Sequence, residues 1–357
     1  MKIIHIVPSL VKGSGVTEML YQINKNCNSK KFKNYFLLWD NTEKLNLKKN
    51  IILKKNINSF FILFFYLKYI RTQFYKKEQV HFIQHGLWHP IYLYTSIILR
   101  FFNLKYSVVS HGMLMREALK IKKFKKKIAF FIYQKIILKK AKNIIFTNNY
   151  ERKESFNFLD NNINNYKIVN VRTKILNKKL TKKFTQKIVS FSRIHPIKSF
   201  EDFIYHWDTK RMIGWKWEIY GPIDDHKYYK YLKILLKKLN LNHNIVFKKA
   251  VYDKKRKFEI FNRSSFLLQT SKSESFNFSV SESLSLGVPV IVTKNSPWQI
   301  VQDKKLGYMY DNSSKSIKKV IDALSNLDND QYNDIIYNFS NNTVSFSWDS
   351  FLKKIVY

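Results

Sequence analysis

A chain of 357 residues with 45% hydrophobic side chains is longer than one ordinary domain and apolar enough for two cores, which excludes a disordered or low-complexity protein. Its single cysteine, Cys27, excludes an intrachain disulfide and a cysteine-based zinc site and favours a cytoplasmic setting. The formal net charge is +39, and roughly two thirds of it precedes residue 179. Codon drift in an A+T-rich genome would enrich Lys, Asn, Ile, Phe and Tyr without selection. The asymmetry between the halves argues instead for an anionic partner, either a membrane surface or a nucleic acid.

In chain order, MKIIHIVPSL reads as a buried strand ended by Pro8 and not as an export signal. The apolar run from Phe60 to Leu67 is far below the roughly 18 to 20 residues of a membrane span, so none is expected. Strands are predicted at Lys2 to Val7, Tyr35 to Trp39, His81 to Gln84, Tyr106 to Ser110 and Asn143 to Thr147. Helices are predicted at Thr17 to Cys27, Ser59 to Tyr75, Pro90 to Phe102 and Lys125 to Lys142. The stretch Lys120 to Lys142 interleaves ten lysines with Ile, Phe and Tyr at helical spacing, the pattern of a basic amphipathic helix on an anionic bilayer.

After a polar segment around Asn161 to Lys187 the alternation restarts. Strands are predicted at Lys187 to Ser192, Lys216 to Tyr220, Asn244 to Phe247, Ser265 to Gln269 and Val288 to Thr293. Helices fall at Phe200 to His206, His226 to Leu239, Lys254 to Asn262, Phe278 to Leu286 and from Ser314 onward. Strand–helix alternation of this kind predicts α/β units built on parallel sheets. The boundaries are read as 1–175, 176–335 and a terminal segment 336–357.

Four segments carry candidate chemistry. Gly13, Ser14 and Gly15 lie in the first strand-to-helix loop, where backbone N–H groups can meet an anion, although turn geometry alone also explains the glycines. The spacing fits neither the dinucleotide fingerprint nor the Walker loop. Arg193 and Lys198 follow a strand, where two cations suit a diphosphate. Gly221 ends the strand Lys216 to Tyr220, as a close backbone approach requires. Glu274 and Glu282 bracket a loop-to-helix transition at Phe276, Asn277 and Phe278, separating a loop carboxylate from one on a helix; two unrelated surface acids give the same pattern.

These segments, in this order, resemble glycosyltransferase family 4, the retaining group 1 glycosyltransferases of GT-B architecture. The paired glutamates match Glu274 and Glu282, the diphosphate-binding pair matches Arg193 and Lys198, and the strand-Gly-Pro element matches Tyr220-Gly221-Pro222. The Gly13 to Gly15 loop, His85-Gly86-Leu87-Trp88, Ser110-His111-Gly112-Met113-Leu114, Ser296-Pro297-Trp298 and the terminal Phe346-Ser347-Trp348 agree as well. Asn277 departs from the family's usual glycine, and Ser14 separates a glycine pair that many members have in direct sequence.

The resemblance implies an α/β fold of two Rossmann-like domains facing each other across a cleft, an acceptor-side domain over 1–175 and a donor nucleotide-sugar domain over 176–335. It also implies that the terminal helix crosses back to the first domain. The implied activity is metal-independent, cofactor-free transfer of a sugar from a nucleoside-diphosphate sugar to a growing, lipid-linked glycan in bacterial surface polysaccharide or lipopolysaccharide synthesis, at the inner face of the cytoplasmic membrane. His111 is the implied contact to the donor sugar near the reacting centre, Glu274 its orienting carboxylate, and Glu282 the ribose clamp. No nucleic acid partner is implied. The rivals are a basic nucleic-acid-binding protein on a degenerate GT-B fold and a GT-B sugar-nucleotide epimerase.

Overall fold

The computed structural model describes residues 1–27, 32–40, 50–52, 64, 80–156, 158, 159, 163–172, 175, 182–342 and 344–357. Two compact units emerge: Met1–Val171 with Ser347–Tyr357, and Arg172–Phe346. In the N-terminal unit the strands are β1 (Lys2–Ser9), β2 (Lys33–Asp40), β3 (Asn50–Ile52), β4 (Val80–His85), β5 (Tyr106–Val109), β6 (Asn143–Phe146) and β7 (Tyr166–Ile168). They form a parallel sheet in the order β3-β2-β1-β4-β5-β6-β7. Ile3, Ile4, Ile6, Phe82, Ile83, Val108, Ile144 and Ile145 are fully buried, so these strands carry continuous apolar runs, as parallel sheets covered on both faces do. Strand β1 continues through Pro8 because its pairing to β4 ends at Ile6 opposite Gln84, beyond which that edge needs no N–H from the proline.

The expected helix over Lys125 to Lys142 is present as one uninterrupted helical run, Lys123 to Lys140, with a π-helical turn inside it. Helices Arg116–Lys120 and Lys123–Ala129 are separated by Lys122 in the left-handed region (φ 54°), and a π-helical turn at Phe130–Gln134 precedes the helix Lys135–Lys140. The wider turn rotates Phe130 and Gln134 inward, and the Gln134 side-chain Oε1 accepts from Trp88 N at 3.1 Å. The helix expected over Ser59 to Tyr75 lies outside the described residues except for Phe64.

In the C-terminal unit the strands are β8 (Lys187–Phe191), β9 (Lys216–Tyr220), β10 (Ile245–Lys248), β11 (Phe266–Gln269), β12 (Val290–Thr293) and β13 (Gly307–Tyr310). All are parallel, in the order β10-β9-β8-β11-β12-β13. Trp215, Trp217, Phe200, Phe203 and Leu232 fill one side of this sheet. The helix Asn329–Ser340 also belongs here, since Tyr332 and Ile336 are buried in that core; the return to the first unit begins at Ser347 and not at residue 336. From there the helix Trp348–Val356 buries Trp348, Phe351, Leu352, Ile355 and Val356 in the N-terminal unit, and Lys142 donates to the Val356 carbonyl. No helix among the described residues is long and apolar enough to cross a membrane.

Candidate active site

In each sheet the chain reverses direction between two central strands. For the C-terminal unit that point lies between β8 and β11, and ligands of open α/β sheets bind beyond the carboxyl ends of such strands. Arg193 and Lys198 follow β8, Gly221 follows β9, and the loop carrying Glu274 follows β11.

Two backbone ties hold these loops together: Lys272 N donates to Ile197 O at 2.9 Å, and the Thr270 hydroxyl donates to Lys198 O. Their result is an ion pair between Lys198 Nζ and Glu274 Oε1, each side chain 14% exposed. The same oxygen accepts from Ser271 Oγ at 2.6 Å and from Asn277 Nδ2 at 3.3 Å. The sequence assigned Lys198 and Glu274 to different parts of a ligand; in this structure they are partners.

Asn277 adopts φ 70° and caps the helix Phe278–Ser285, its side-chain oxygen accepting from Ser279 N at 3.2 Å. Asparagine tolerates this backbone region better than other side chains bearing a Cβ, so the turn survives where glycine was expected. Glu282, one turn into that helix, pairs with Lys257, whose ammonium lies 4.9 Å from the Phe191 ring centroid. The Phe276 ring is buried between Phe278 and Trp298 at 4.9 and 5.1 Å, and Trp298 Nε1 donates to Phe276 O. Phe276 therefore props the loop, which also gives the Ser296-Pro297-Trp298 segment a physical role.

Arg193 is half exposed and bonds Asp224 Oδ2 at 2.5 Å. That pairing follows from the backbone, because Ile194 N donates to Pro222 O at 2.9 Å and Asp224 N to Ile194 O at 3.2 Å. Gly221 is required by the chain itself: a Cβ there would sit 1.7 Å from Ser192 O. The close approach anticipated for a ligand is made by the Ser192 carbonyl.

In the N-terminal unit the direction reverses between β1 and β4. Gly13 has φ 75°, Ser14 N is used in the turn by Val11 O at 3.1 Å, and the helix Gly15–Asn26 follows. Ser14 N–H is thus not free for an anion, while Gly13 and Gly15 N–H have no acceptor among the described residues. His111, after β5, is left-handed (φ 49°) and bonds His85 Nδ1 through its Nε2 at 3.0 Å. Buried Glu151 holds that loop: its two oxygens accept from Ser110 Oγ, Gly112 N, Thr147 N and Thr147 Oγ1 at 2.5 to 2.7 Å. Burial lowers the His111 pKa to about 4 and carries His85 well below the ordinary value, with the neighbouring histidines adding to the His85 shift.

Residues 171–341 match the family described as glycosyl transferases group 1. That matched segment coincides closely with the C-terminal unit, Arg172–Phe346. None of the curated proteins matches the chain. Among solved structures, Anabaena HepE in complex with UDP-glucose is similar at a TM-score of 0.74 and 14% identity, over 100% of this chain and 98% of that one. A glycosyltransferase from Rickettsia africae follows at 0.69 and 16%, over 99% and 96%. The lipopolysaccharide outer core galactosyltransferase WaaB is similar at 0.63 and 14%, over 100% and 99%. At these identities the likeness shows the fold, which is that of the GT-B glycosyltransferases. Within the matched segment, Lys257, Asp224 and Ser271 escaped the sequence reading. Each meets its charged partner only through loop geometry, in a chain where lysine is too common to signal anything.

Proposed function

We propose that this protein is a retaining, metal-independent glycosyltransferase that moves a sugar from a nucleoside-diphosphate sugar to a glycan acceptor. The observation that carries this reading is the pair of ion pairs, Lys198 with Glu274 and Lys257 with Glu282, at the switch point of the segment that matches the group 1 glycosyl transferases. Each of these charges is satisfied by its partner. A diphosphate would draw Lys198 and Arg193 toward itself and release Glu274 and Asp224 to accept other hydrogen bonds, Glu274 from sugar hydroxyls. Glu282 would hold the ribose hydroxyls in the same way. As the glycosidic bond breaks the leaving diphosphate gains charge, and Arg193 and Lys198 stabilise it. UDP and UDP-glucose in the similar HepE structures support a nucleotide-sugar donor.

The acceptor is proposed to be a lipid-linked glycan of bacterial surface polysaccharide or lipopolysaccharide synthesis, reached by docking on the cytoplasmic face of the membrane. Its support is the surface of the helix Lys123 to Lys140: Phe124, Phe131 and Ile132 are 76%, 66% and 67% exposed and are interleaved with exposed Lys122, Lys123, Lys125, Lys127, Lys139 and Lys140. Apolar side chains inserting among anionic headgroups, with lysines beside the phosphates, account for both features at once. WaaB, similar in fold, is by its name a lipopolysaccharide enzyme.

Two variants test the site. Glu274→Ala should abolish transfer while the protein stays folded, and Arg193→Ala should weaken the chemical step or donor affinity; unchanged turnover in both removes the assignment. A panel of nucleotide sugars, read by thermal stabilisation of about 2.7 kcal/mol at 100 times the dissociation constant, identifies the donor.

A further inference from the structure

Behind His111 runs a line of polar side chains, two of them fully buried histidines. His111 Nε2 meets His85 Nδ1 at 3.0 Å, His85 Nε2 meets His5 Nδ1 at 2.8 Å, and His5 Nε2 meets Asn34 Oδ1 at 3.1 Å. The line crosses the sheet from the loop after β5 through β4 and β1 to β2. His5 and His85 are fully buried, where apolar residues would pack at no cost in desolvation. The His5 ring also stacks on Phe36 with centroids 5.1 Å apart.

Burial lowers His5 and His111 to about 4 and carries His85 well below its ordinary value, so at neutral pH each ring is uncharged and carries one N–H. A ring–ring contact then needs one donor and one acceptor, so the three rings must point their N–H groups in the same sense. Asn34 sets that sense. Its Oδ1, which can only accept, lies 3.1 Å from His5 Nε2. His5 must therefore donate from Nε2 and accept at Nδ1, His85 must do the same, and His111 must donate from Nε2. The His111 Nδ1 keeps its lone pair, and no group among the described residues engages it.

We propose that His5, His85 and Asn34 are positioning residues that fix the tautomer of His111, so that His111 offers a hydrogen-bond acceptor, Nδ1, to a ligand hydroxyl. Only the identity of that hydroxyl as one on a donor sugar rests on the glycosyltransferase reading. A histidine in the opposite tautomer would present an N–H and would favour a carbonyl or phosphate oxygen instead. The relay thus selects the class of ligand atom from about three side chains away, and Glu151, holding Gly112 N, fixes where the ring stands.

The test is two-bond proton–nitrogen correlation NMR on the full chain labelled with ¹⁵N-histidine, with signals assigned by single substitution. The expected result is that His5, His85 and His111 are all neutral with the proton on Nε2. A proton on Nδ1 of His111, or a mixture, overturns the proposal. His5→Phe keeps the stacked ring but breaks the line, and Asn34→Leu removes the terminal acceptor. Each should turn His111 into a tautomer mixture and lower kcat at least about tenfold with the donor KM little changed. Unchanged tautomers or unchanged kcat in both variants refute the relay, and one folded variant suffices. If the wild-type chain transfers no sugar, the functional reading fails while the tautomer measurement still decides the relay.

Discussion

Replacing Gly221 with alanine adds one methyl group where the chain has no room for it. The new Cβ would lie 1.7 Å from Ser192 O and 2.7 Å from Ser192 C, both backbone atoms, so no rotamer change relieves the clash. The carbonyl must retreat by about 1.5 Å to reach an ordinary contact. That movement strains Ser192 N to Tyr220 O, now 3.0 Å, and Ile194 N to Pro222 O, now 2.9 Å. Overpacking costs about 1–3 kcal/mol and each lost hydrogen bond about 1 kcal/mol, a total of about 3–5 kcal/mol. For a unit of this size that lowers Tm by about 6–20 °C. Calorimetry on the full chain is the assay, and the transition of the C-terminal unit should be the one that moves. The displaced segment carries Arg193, so donor nucleotide binding should weaken as well. A Tm within about 2 °C of wild type would refute the argument, since the backbone would then have absorbed the methyl at no cost.

Acid should destabilise the N-terminal unit. His5, His81 and His111 are lowered to about 4, 3 and 4, and His85 is carried well below its ordinary value, mainly by burial. Their folded pKa values lie below the unfolded value near 6.5, so stability is complete above that pH and is lost as pH falls toward 4, by up to about 1.4 kcal/mol per unit for each ring. A Tm of that unit independent of pH between 7.5 and 5 would contradict this. Asn277→Gly keeps the left-handed turn and should cost under about 1 kcal/mol, whereas Asn277→Val should cost about 2–3 kcal/mol through backbone strain and the lost cap; equal denaturant midpoints would disprove the difference. Lys198→Met and Glu274→Gln should couple by about 1–3 kcal/mol in a double-mutant cycle, and strict additivity would argue against the pair. Phe124→Ser with Phe131→Ser should reduce co-sedimentation with phosphatidylglycerol vesicles at physiological salt; failure of the wild-type chain to sediment would remove the docking surface.

Much of the architecture is legible in the sequence because its cause is local. The runs Lys2 to Val7 and Asn143 to Thr147 are apolar on both faces, and only a covered parallel strand buries such a run. The strands that escape, β3, β7 and β13, are three or four residues long at or near the sheet edges, too short for a periodic signal. The π-helical turn escapes for a different reason: it accompanies what Gln134 and Phe130 meet inside the unit and is not written in the helical period.

The sequence by itself determined the α/β class, the order of the motifs and the positions of Glu274, Glu282, Arg193, Lys198 and His111, because strand ends and glycine turns are written in neighbouring residues. Only the tertiary structure decided which charges meet. Lys198 and Glu274 are 76 residues apart, His5 and His85 are 80 apart, and parallel strands with crossover connections bring such residues together at one sheet edge. It also decided that the glycine after β9 serves the Ser192 carbonyl, and that three neutral histidines must share one proton sense. Both depend on distances of about 3 Å or less between segments distant in sequence.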